Sequence, residues 1–376
     1  MCALTLLTAS CMPDGDDPAA TRAFLAESWE AYRRIYVHPS GYVLDRTRNG
    51  GEVTSEGQSY ALLRAAWMGD RATFDRVSGW TARVLQRPDG LHAWRWSPEA
   101  GGRILDGNSA TDADQDIAFA LILAADRFNE PAHLDRARHI LRAIHQRAGI
   151  EVAGGWFPSA GNWAVTERIV NLSYFAPYAY PYFARLDPNA NWDAVATVGY
   201  ALLARATAGG EASLPPDFMV VAPDGQIAPL PPDSTLGKTF SFDGIRIPWR
   251  VEFDCRLHGR PEACASTGGL PTLSALLAQE GRLVTAYDTS GRALDQEESP
   301  SVYACLLPAL DRLRPDLAGL VRRTHLGLPS LGAILDRDDR YYDLNWVWFG
   351  LALADGWLVE RTPAPARLPL APIQVP

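Results

Sequence analysis

Apolar residues recur at helical spacing along most of the chain, whereas the strict alternation typical of strands is nearly absent. In residues 19–36, for example, Phe24, Leu25, Trp29 and Tyr32 fall on one face of a helix. The same spacing predicts about twelve helices, over 19–36, 57–69, 72–86, 113–128, 132–147, 173–186, 191–208, 242–256, 270–280, 300–313, 315–324 and 341–356. We therefore expect an all-α protein.

Short and long connections alternate between these predicted helices. Short turns such as GDRAT, NEPAH and DPNAN join helices into antiparallel pairs. The longer connections are 88–111, 149–170 and 209–240. This alternation predicts six helical hairpins in a ring, an (α/α) toroid with its helices in a double ring. Long loops would lie on one face of the ring, where functional groups tend to collect.

The predicted toroid occupies residues 19–357 as a single domain. A Pro-rich stretch at 214–234 interrupts it, and we interpret this stretch as a surface excursion with a small β-hairpin about the PDG turn. Residues 358–376 have no periodicity and are expected to form a flexible tail.

We interpret residues 1–18 as the remnant of an export signal or as a disordered leader. The leader MCALTLLTASCMPDGDD has a short apolar run but no basic residue before Arg22. Its LTASC run is similar to a lipoprotein cleavage box, in which Cys11 would be acylated. We expect a periplasmic or secreted protein, with a lipid anchor as the less favoured alternative. No later stretch is long and apolar enough to predict a membrane span.

Composition adds two restrictions on function. The 44 acidic residues outnumber 35 Lys and Arg, and the net charge of −9 has the wrong sign for a nucleic-acid-binding protein. The 12 Trp, 13 Tyr and 12 Phe are numerous enough to line a cleft that stacks weakly charged rings such as sugars.

The five cysteines predict neither a metal nor a redox site, because none of them forms a CxxC pair. Cys255 and Cys264 bracket a loop-like octapeptide that a disulfide could close in an oxidising compartment. Free thiols are an equally acceptable interpretation. No cofactor is expected.

Three acidic residues stand at predicted helix starts in distinctive surroundings: Glu56 in TSEGQSYALL, Asp112 in NSATDADQDIAFAL and Asp243 in SFDGIRIPWR. Helix capping explains a single acid at such a position. It does not explain Asp112, Asp114 and Asp116 within five residues, because extra like charges repel each other. Such crowding is typical of a functional site.

Four strings, in chain order, closely resemble the motifs of glycoside hydrolase family 8: VTSEGQSYALL, NSATDADQDIAFALILA, NLSYFAPYAY and SFDGIRIPWR. The resemblance implies an inverting β-1,4-glycanase built as a six-hairpin (α/α) toroid. The short leader is similar to those of the endoglucanases associated with bacterial cellulose synthesis. One departure is Leu172, where the family usually has Pro.

The same resemblance implies a role for each acid. Glu56 would be the general acid, Asp243 the general base, and Asp112 the carboxylate that holds and distorts the central sugar. An inverting reaction needs a protonated carboxyl for the leaving oxygen and an ionised one to activate water. We expect the negative charge of Asp112 to help keep Glu56 protonated near neutral pH.

Aromatic and polar residues near these motifs are the predicted substrate-binding groups: Tyr60, Trp94, Trp96, Asn108, Tyr174, Phe175 and Arg246. Arg246 would orient Asp243 or bind the sugar. Core packing is the alternative for any ring in a helical stripe, and we favour it for Trp67, Trp80, Trp346 and Trp348.

The predicted function is that of an inverting endo-β-1,4-glucanase acting on a β-1,4-glucan chain. Xylanase or chitosanase activity of the same family is the first alternative. A weakly active glycan-binding component of a polysaccharide-secretion system is the second, and it does not explain the presence of both an acid and a base. A functional association with a cellulose synthase system is also open.

Overall fold

The computed structural model describes residues 17–47, 50–208 and 213–368. Most of the leader, residues 1–16, and the last part of the tail, residues 369–376, lie outside the described residues. The described part contains fifteen α-helices: α1 Pro18–Tyr36, α2 Ser55–Met68, α3 Arg71–Val84, α4 Thr111–Arg127, α5 Ala132–Ala148, α6 Tyr180–Leu186, α7 Trp192–Ala206, α8 Arg246–His258, α9 Pro261–Ala265, α10 Leu270–Glu280, α11 Pro300–Leu313, α12 Pro315–Thr324, α13 Leu328–Gly332, α14 Tyr341–Ala354 and α15 Trp357–Arg361.

Helices alternate between an inner and an outer ring. The inner helices α2, α4, α8, α11 and α14 are buried on nearly all sides, and the short α6 takes the remaining inner place. The outer helices α1, α3, α5, α7, α10 and α12 pack one face inward. Helix α2 packs on α3 and α4, α4 on α5, and α11 on α12 and α14. The predicted (α/α) toroid of six hairpins is confirmed.

The first and last hairpins close the ring. Helix α14 packs against α1, and the Trp348 indole Nε1 donates a hydrogen bond to the Leu25 carbonyl at 3.0 Å. From α2, the Arg64 guanidinium donates to the Leu344 carbonyl at 3.2 Å. Trp67, Trp80, Trp346 and Trp348 are all buried, so their predicted place in the core is confirmed.

Every long connection leads from an outer helix to the N-terminus of the next inner helix, as between α3 and α4 or between α7 and α8. The return connections are mostly short, such as residues 69–70 and residue 314. Because hairpin partners run antiparallel, the six inner N-termini and the long loops share one face of the toroid. This face carries the predicted acids.

Two helices begin later than the sequence predicts. In 173–186, short 3-10 turns precede α6, because Pro177 lacks an N–H donor and keeps the preceding Ala176 out of helical geometry. In 242–256, helix α8 begins only at Arg246. The residues before it form the turn that presents Asp243.

In the part of the chain that the structure describes, eight short strands form three small antiparallel sheets over the long loops: β1 Val53–Thr54, β2 Arg95–Ser97 and β3 Arg103–Asp106; β4 Gly149–Val152 and β5 Gly155–Pro158; β6 Ile169–Val170, β7 Met219–Val221 and β8 Ile227–Ala228. The predicted hairpin about the PDG turn is the pair β7 and β8, with Val221 opposite Ile227. Gly225 in its turn has a φ of 81°, a conformation that glycine adopts without strain.

Part of the predicted tail is packed against the toroid. Leu358 is fully buried, Leu368 is 5% exposed, and the Tyr182 hydroxyl donates to the Pro363 carbonyl at 2.6 Å. The packed unit therefore continues past residue 357 to Leu368. Apolar side chains outside a helical pattern can also be buried by contact with neighbouring apolar residues.

Cys255 and Cys264 are paired in a disulfide that ties the end of α8 to α9, while Cys305 is a buried free thiol. Of the two alternatives, the structure therefore contains the disulfide. No helix among the described residues is long and apolar enough to cross a membrane.

Candidate active site

Three predicted acids meet at the common face of the inner helices. Glu56 is the second residue of α2, Asp112 is the second residue of α4, and Asp243 stands three residues before α8. Helix N-termini carry partial positive charge, which stabilises carboxylates placed there. The inner ring thus brings residues that are distant in sequence to one place.

Glu56 is positioned by the helix cap at Thr54 and by the close approach of α2 to Tyr341 of α14. The Thr54 hydroxyl accepts a hydrogen bond from the Gly57 amide at 3.1 Å. A Cβ at position 57 would lie 2.3 Å from the Tyr341 hydroxyl, so only glycine fits there. The Glu56 carboxylate accepts bonds from the Trp94 indole Nε1 at 3.0 Å and from the Ser55 hydroxyl at 3.3 Å.

A buried carboxylate holds the loop that carries Trp94. Asp114 Oδ1 accepts the His92 backbone N–H at 3.0 Å and lies 2.8 Å from His92 Nδ1. Burial raises the pKa of Asp114, whereas its bonds with His92 oppose the rise. Asp114 therefore acts on Glu56 indirectly, through the placement of Trp94.

Asp112 lies behind the cleft surface, with 1% of its surface exposed. Its Oδ2 accepts a hydrogen bond from Arg246 Nη1 at 3.0 Å. Burial and the nearby charge of Glu56 raise the pKa of Asp112 to about 8, although Arg246 opposes them. The side chain of Asp112 lines neither of the two cavities described below. Direct contact between Asp112 and the sugar therefore stays a prediction.

Arg246 connects the acids. Its guanidinium donates to the Tyr60 hydroxyl at 3.1 Å and to the Ser173 hydroxyl at 2.7 Å, and it also donates to Asp243 Oδ1. The side chain is 3% exposed and bridges Asp112 and Asp243. A buried cation with this many acceptors fixes their relative positions.

Asp243 is more accessible than Asp112, with 31% of its side chain exposed. Its second carboxylate oxygen accepts a hydrogen bond from the Asn171 side-chain amide at 2.9 Å. Asn171 and Arg246 thus hold the carboxylate in one orientation while leaving it open to the cleft.

The crowded acids of α4 turn out to have separate partners. Asp112 pairs with Arg246, Asp114 with His92, and Asp116 with Arg250 at 2.8 Å. Asp116 also accepts a bond from the Tyr178 hydroxyl at 3.0 Å, away from the cleft. Of the three neighbouring acids, Asp112 therefore lies next to the cleft, whereas Asp114 and Asp116 position the surrounding scaffold.

Two adjacent cavities make up the cleft. The first, of about 390 Å³, we name the acidic half; its lining includes Asp45, Glu56, Asp243, Glu297, Glu298, Asp339 and Asp343, with Tyr60, Arg246, Phe242 and Tyr342. The second, of about 320 Å³, we name the aromatic half; its lining includes Trp94, Asn108, Trp163, Tyr174 and Phe218. The halves meet where Trp94 contacts Glu56 and where Arg246 lies over the Tyr174 ring at 5.4 Å.

Five of the seven predicted binding residues line this cleft: Tyr60 and Arg246 in the acidic half, and Trp94, Asn108 and Tyr174 in the aromatic half. Phe175 is not among them and its prediction as a stacking platform is wrong. Phe175 is 2% exposed and packs edge-on against Tyr200 at 5.0 Å. At the end of the 3-10 turn at 172–174, the neighbouring rings of Tyr174 and Phe175 point in opposite directions.

Trp96 is also misplaced by the prediction. Its ring packs against Trp80 at 5.1 Å and Tyr42 at 5.4 Å and lines neither half of the cleft. Residues two apart share a strand face, but β2 begins only at Arg95, and Trp94 lies in a bend before it. The alternation of the strand therefore does not extend to Trp94, and the rings of Trp94 and Trp96 lie on different surfaces.

The sequence did not predict several of the residues that form the cleft. Trp163 and Phe218 lie in loops without periodicity. Asn171 is uncharged, so it was not identified as a candidate site residue. Tyr342 lies in α14, whose hydrophobicity on all sides concealed its contact with the cleft. The NLSYF string was the available signal for Asn171. Over the described ranges, no group of three or more His, Cys, Asp or Glu side chains is arranged to hold a metal ion.

Sequence comparison places residues 4–265 within the model of glycosyl hydrolases family 8. The chain is 31% identical over 239 residues to an endoglucanase of Cellulomonas uda, covering 62% of this chain and 64% of that protein. It is 34% identical over 238 residues to a probable endoglucanase of Novacetimonas hansenii, covering 62% and 67%. The chain thus spans slightly less than two thirds of the Cellulomonas protein.

The fold also matches a solved structure, that of an endo-β-1,4-glucanase from Acetobacter xylinum. The TM-score is 0.72 at 26% identity, and the match covers 90% of this chain and all of that one. With the toroid, the paired carboxylates and the matched family model in agreement, the chain belongs to glycosyl hydrolase family 8.

Proposed function

We propose that the protein is an inverting endo-β-1,4-glucanase with Glu56 as general acid and Asp243 as general base. The observation that carries the proposal is that two carboxylates from different helix starts line one cavity, beside a second cavity lined by aromatic rings. Relatives described as endoglucanases support the choice of glucan.

Glu56 is suited to protonate the leaving oxygen. Its carboxyl group is half-buried, and Trp94 and Ser55 restrict its orientation. Glu56 and the buried Asp112 interact electrostatically, and two such neighbouring carboxyl groups disfavour ionisation of both at once. A carboxyl group in this environment can deliver a proton as the glycosidic bond lengthens.

Asp243 is suited to activate water. Its carboxylate is open to the cleft and held by Asn171 and Arg246. It would take a proton from a water molecule that attacks the anomeric carbon from the face opposite Glu56. One bond breaks as the other forms, and no covalent glycosyl-enzyme intermediate arises.

The aromatic half is suited to bind the glucan chain. Trp94, Trp163 and Tyr174 offer ring faces, and a glucan presents flat C–H faces that stack on such rings. Asn108 adds a side-chain amide for sugar hydroxyls. Binding in this half would place the next bond of the chain between Glu56 and Asp243.

The stereochemistry of the product tests the mechanism. A single displacement releases the α-anomer first from a β-linked chain, whereas a retaining enzyme releases the β-anomer first. Proton NMR of a fresh cello-oligosaccharide digest, read before mutarotation, separates the two. Early β-anomer would show that the second carboxylate is a nucleophile.

Chitosan is the second candidate substrate, and the charge of the acidic half favours it. Seven carboxylates there face two guanidinium groups, those of Arg246 and Arg340. A cationic chain would be attracted to this surface. Reducing ends released from carboxymethylcellulose, xylan and chitosan in parallel decide among the substrates. Binding without release from any of the three would favour the glycan-binding alternative.

We also propose that the protein is exported and works beside a cellulose synthase system. The leader pattern and the resemblance to endoglucanases associated with cellulose synthesis support this proposal. Cell fractionation tests the compartment, and deletion of the gene in a cellulose-producing host tests the association.

A further inference from the structure

Asp217 is a buried acid in the connection between α7 and α8, which also carries Asp243. It is 4% exposed. Its backbone N–H donates to the Thr239 carbonyl at 2.8 Å, and the Phe218 N–H donates to the Gly237 carbonyl at 3.1 Å. The chain around Asp217 therefore runs beside the chain that leads into the Asp243 turn.

The Asp217 carboxylate binds both ends of that turn. Oδ1 accepts the backbone N–H of Ser241 at 3.1 Å and of Gly244 at 2.9 Å. Oδ2 accepts the Ser241 hydroxyl. Within the described ranges, no Lys or Arg side chain forms an ion pair with Asp217. Its contacts are thus directed at the turn formed by residues 241–244.

Neighbouring contacts leave this turn few other conformations. Phe240, just before it, exchanges two backbone hydrogen bonds of 2.9 Å with Tyr287. A Cβ at Gly244 would lie 2.4 Å from the Phe240 ring, so the turn closes tightly on that residue. Asn171 and Arg246 hold the Asp243 carboxylate itself, whereas Asp217 holds the backbone that carries it.

We propose that Asp217 is a positioning residue that aims the Asp243 carboxylate at the attacking water by fixing the backbone of residues 241–244. The inference rests on the proposed function, in which Asp243 is the general base. A hydrophobic residue of similar size could fill the space, but it could not accept three hydrogen bonds from the turn.

The environment of Asp217 is costly for a residue that only fills space. Burial and the negative charge of Asp243 raise the pKa of Asp217 to about 7, although the bonds from Ser241 and Gly244 oppose the rise. A buried carboxylate without a cation lowers the free energy of unfolding unless its hydrogen bonds compensate. Three donors from one turn supply that compensation here.

The first test is Asp217→Asn, assayed on soluble glucan. An amide can still accept from the two backbone N–H groups, but it cannot accept both these and the Ser241 hydroxyl. Because misplacement of a reacting group by about 1 Å can cost about 10²-fold, we expect kcat to fall about 10- to 100-fold. We expect KM to change by less than about threefold, since ground-state binding is retained. Unchanged kcat would overturn the proposal.

Asp233→Asn is the matched control. Asp233 lies in the same connection and is exposed, and we expect kcat, KM and the melting temperature of this variant to equal those of the wild type. A loss of kcat in Asp233→Asn equal to that in Asp217→Asn would overturn the proposal, because the effect would then belong to the loop as a whole.

A double mutant separates positioning from general stability. In an Asp243→Asn background, Asp217 has no base to position, so Asp217→Asn should lower the residual kcat by less than about twofold. The same fractional loss in both backgrounds would overturn the proposal. If Asp243→Asn alone keeps full activity, the assignment of the base fails instead, and the two failures are thus distinguishable.

Ser241→Ala keeps the proposal testable if Asp217→Asn does not fold. It removes one of the three hydrogen bonds and leaves the backbone amides in place. A net hydrogen bond of about 0.5–1.5 kcal/mol corresponds to about a two- to tenfold loss, which we expect in kcat at unchanged KM. Wild-type kcat in folded Ser241→Ala would overturn the proposal.

Discussion

The acidic and aromatic halves of the cleft are built in different ways. In the acidic half, Glu56, Asp243 and Arg246 come from inner helix starts and are tied to one another and to buried partners. In the aromatic half, Trp163 and Phe218 come from loops and small sheets. Groups that react must be held to fractions of an ångström, whereas groups that bind a ring face need only present it.

This difference predicts which kinetic constant, kcat or KM, a substitution in each half will change. Changes in the acidic half should lower kcat, because they displace or remove reacting groups. Changes in the aromatic half should raise KM, because they remove contacts that the substrate makes before and during the reaction.

The largest effect is expected for Glu56→Gln. Glutamine keeps the hydrogen bonds with Trp94 but cannot donate the proton, so kcat should fall by about 10²–10⁴-fold while KM is retained. Glu27→Gln on the exposed face of α1 is the control and should have wild-type activity. If Glu56→Gln keeps more than about a tenth of the activity, Glu56 is only a helix cap.

Arg246 provides the next largest effect. Arg246→Met would leave Asp112 and Asp243 without their shared cation and should lower the free energy of unfolding by about 3–5 kcal/mol. Arg246→Lys keeps the charge but loses the planar fork, so kcat should fall by about 10²-fold with a smaller loss of stability.

Arg250→Lys is the comparison for Arg246→Lys. Arg250 is as buried as Arg246 and pairs with Asp116, but it lines neither half of the cleft. Denaturant unfolding and kinetics on both variants should show stability loss in both and a kcat loss only at Arg246. Equal loss of kcat in the two would remove the special role given to Arg246.

Stability should fall as pH rises from about 4 to about 8. The folded-state pKa of Asp112 is raised to about 8, above its value of about 3.9 in an unfolded chain. The folded state therefore holds a proton that the unfolded state releases, and this contribution to stability is lost as pH rises through that range. Asp114 and Asp217, with raised pKa values, act in the same direction.

Melting temperatures at pH 5.5 and 8.5 measure this dependence. We expect a lower melting temperature at pH 8.5 and a flatter dependence in Asp112→Asn, which no longer titrates at that position. An Asp112→Asn variant with the wild-type slope would assign the dependence to other groups.

A smaller effect is expected in the aromatic half. Trp163→Ala removes a ring face that is worth about 0.5–1.5 kcal/mol in an aromatic contact, so KM should rise about two- to tenfold with kcat nearly retained. Trp96→Ala is the control, because that ring packs against Trp80 and Tyr42 outside the cleft. It should lower the melting temperature without raising KM.

The smallest effect on neutral glucan is expected for Glu297→Gln. Glu297 is exposed at the rim of the acidic half, and removal of an exposed charge should change kcat/KM on glucan less than about twofold. On chitosan the same change should weaken binding and reduce its dependence on salt concentration. Equal effects on both substrates would argue against an electrostatic role for this rim.

Helical periodicity predicted the toroid well because an inner or outer helix position is decided by burial, which the pattern of apolar residues records. The site was harder to predict wherever irregular backbone decides orientation. Tyr174 faces the cleft and its neighbour Phe175 faces the core, and Trp94 lies in a bend before the strand that carries Trp96. Residue type alone could not distinguish the members of either pair.

Asp217 shows a second limit. It lies in a Pro-rich loop far from a helix start, and no spacing links it to Asp243. Only the pairing of residues 217–218 with 237–239 brings the two together. Contacts of this kind depend on the path of a long loop, which neither periodicity nor capping signals describe.

The closure of the ring between α1 and α14 has a consequence for how activity arises during synthesis. Tyr341 and Tyr342, which line the acidic half, belong to the last inner helix, and Trp348 in that helix fastens to α1. A growing chain that has already made Glu56, Asp112 and Asp243 still lacks one wall of the cleft. We therefore expect the proposed hydrolysis only from the closed molecule, so that catalytic turnover would report complete folding.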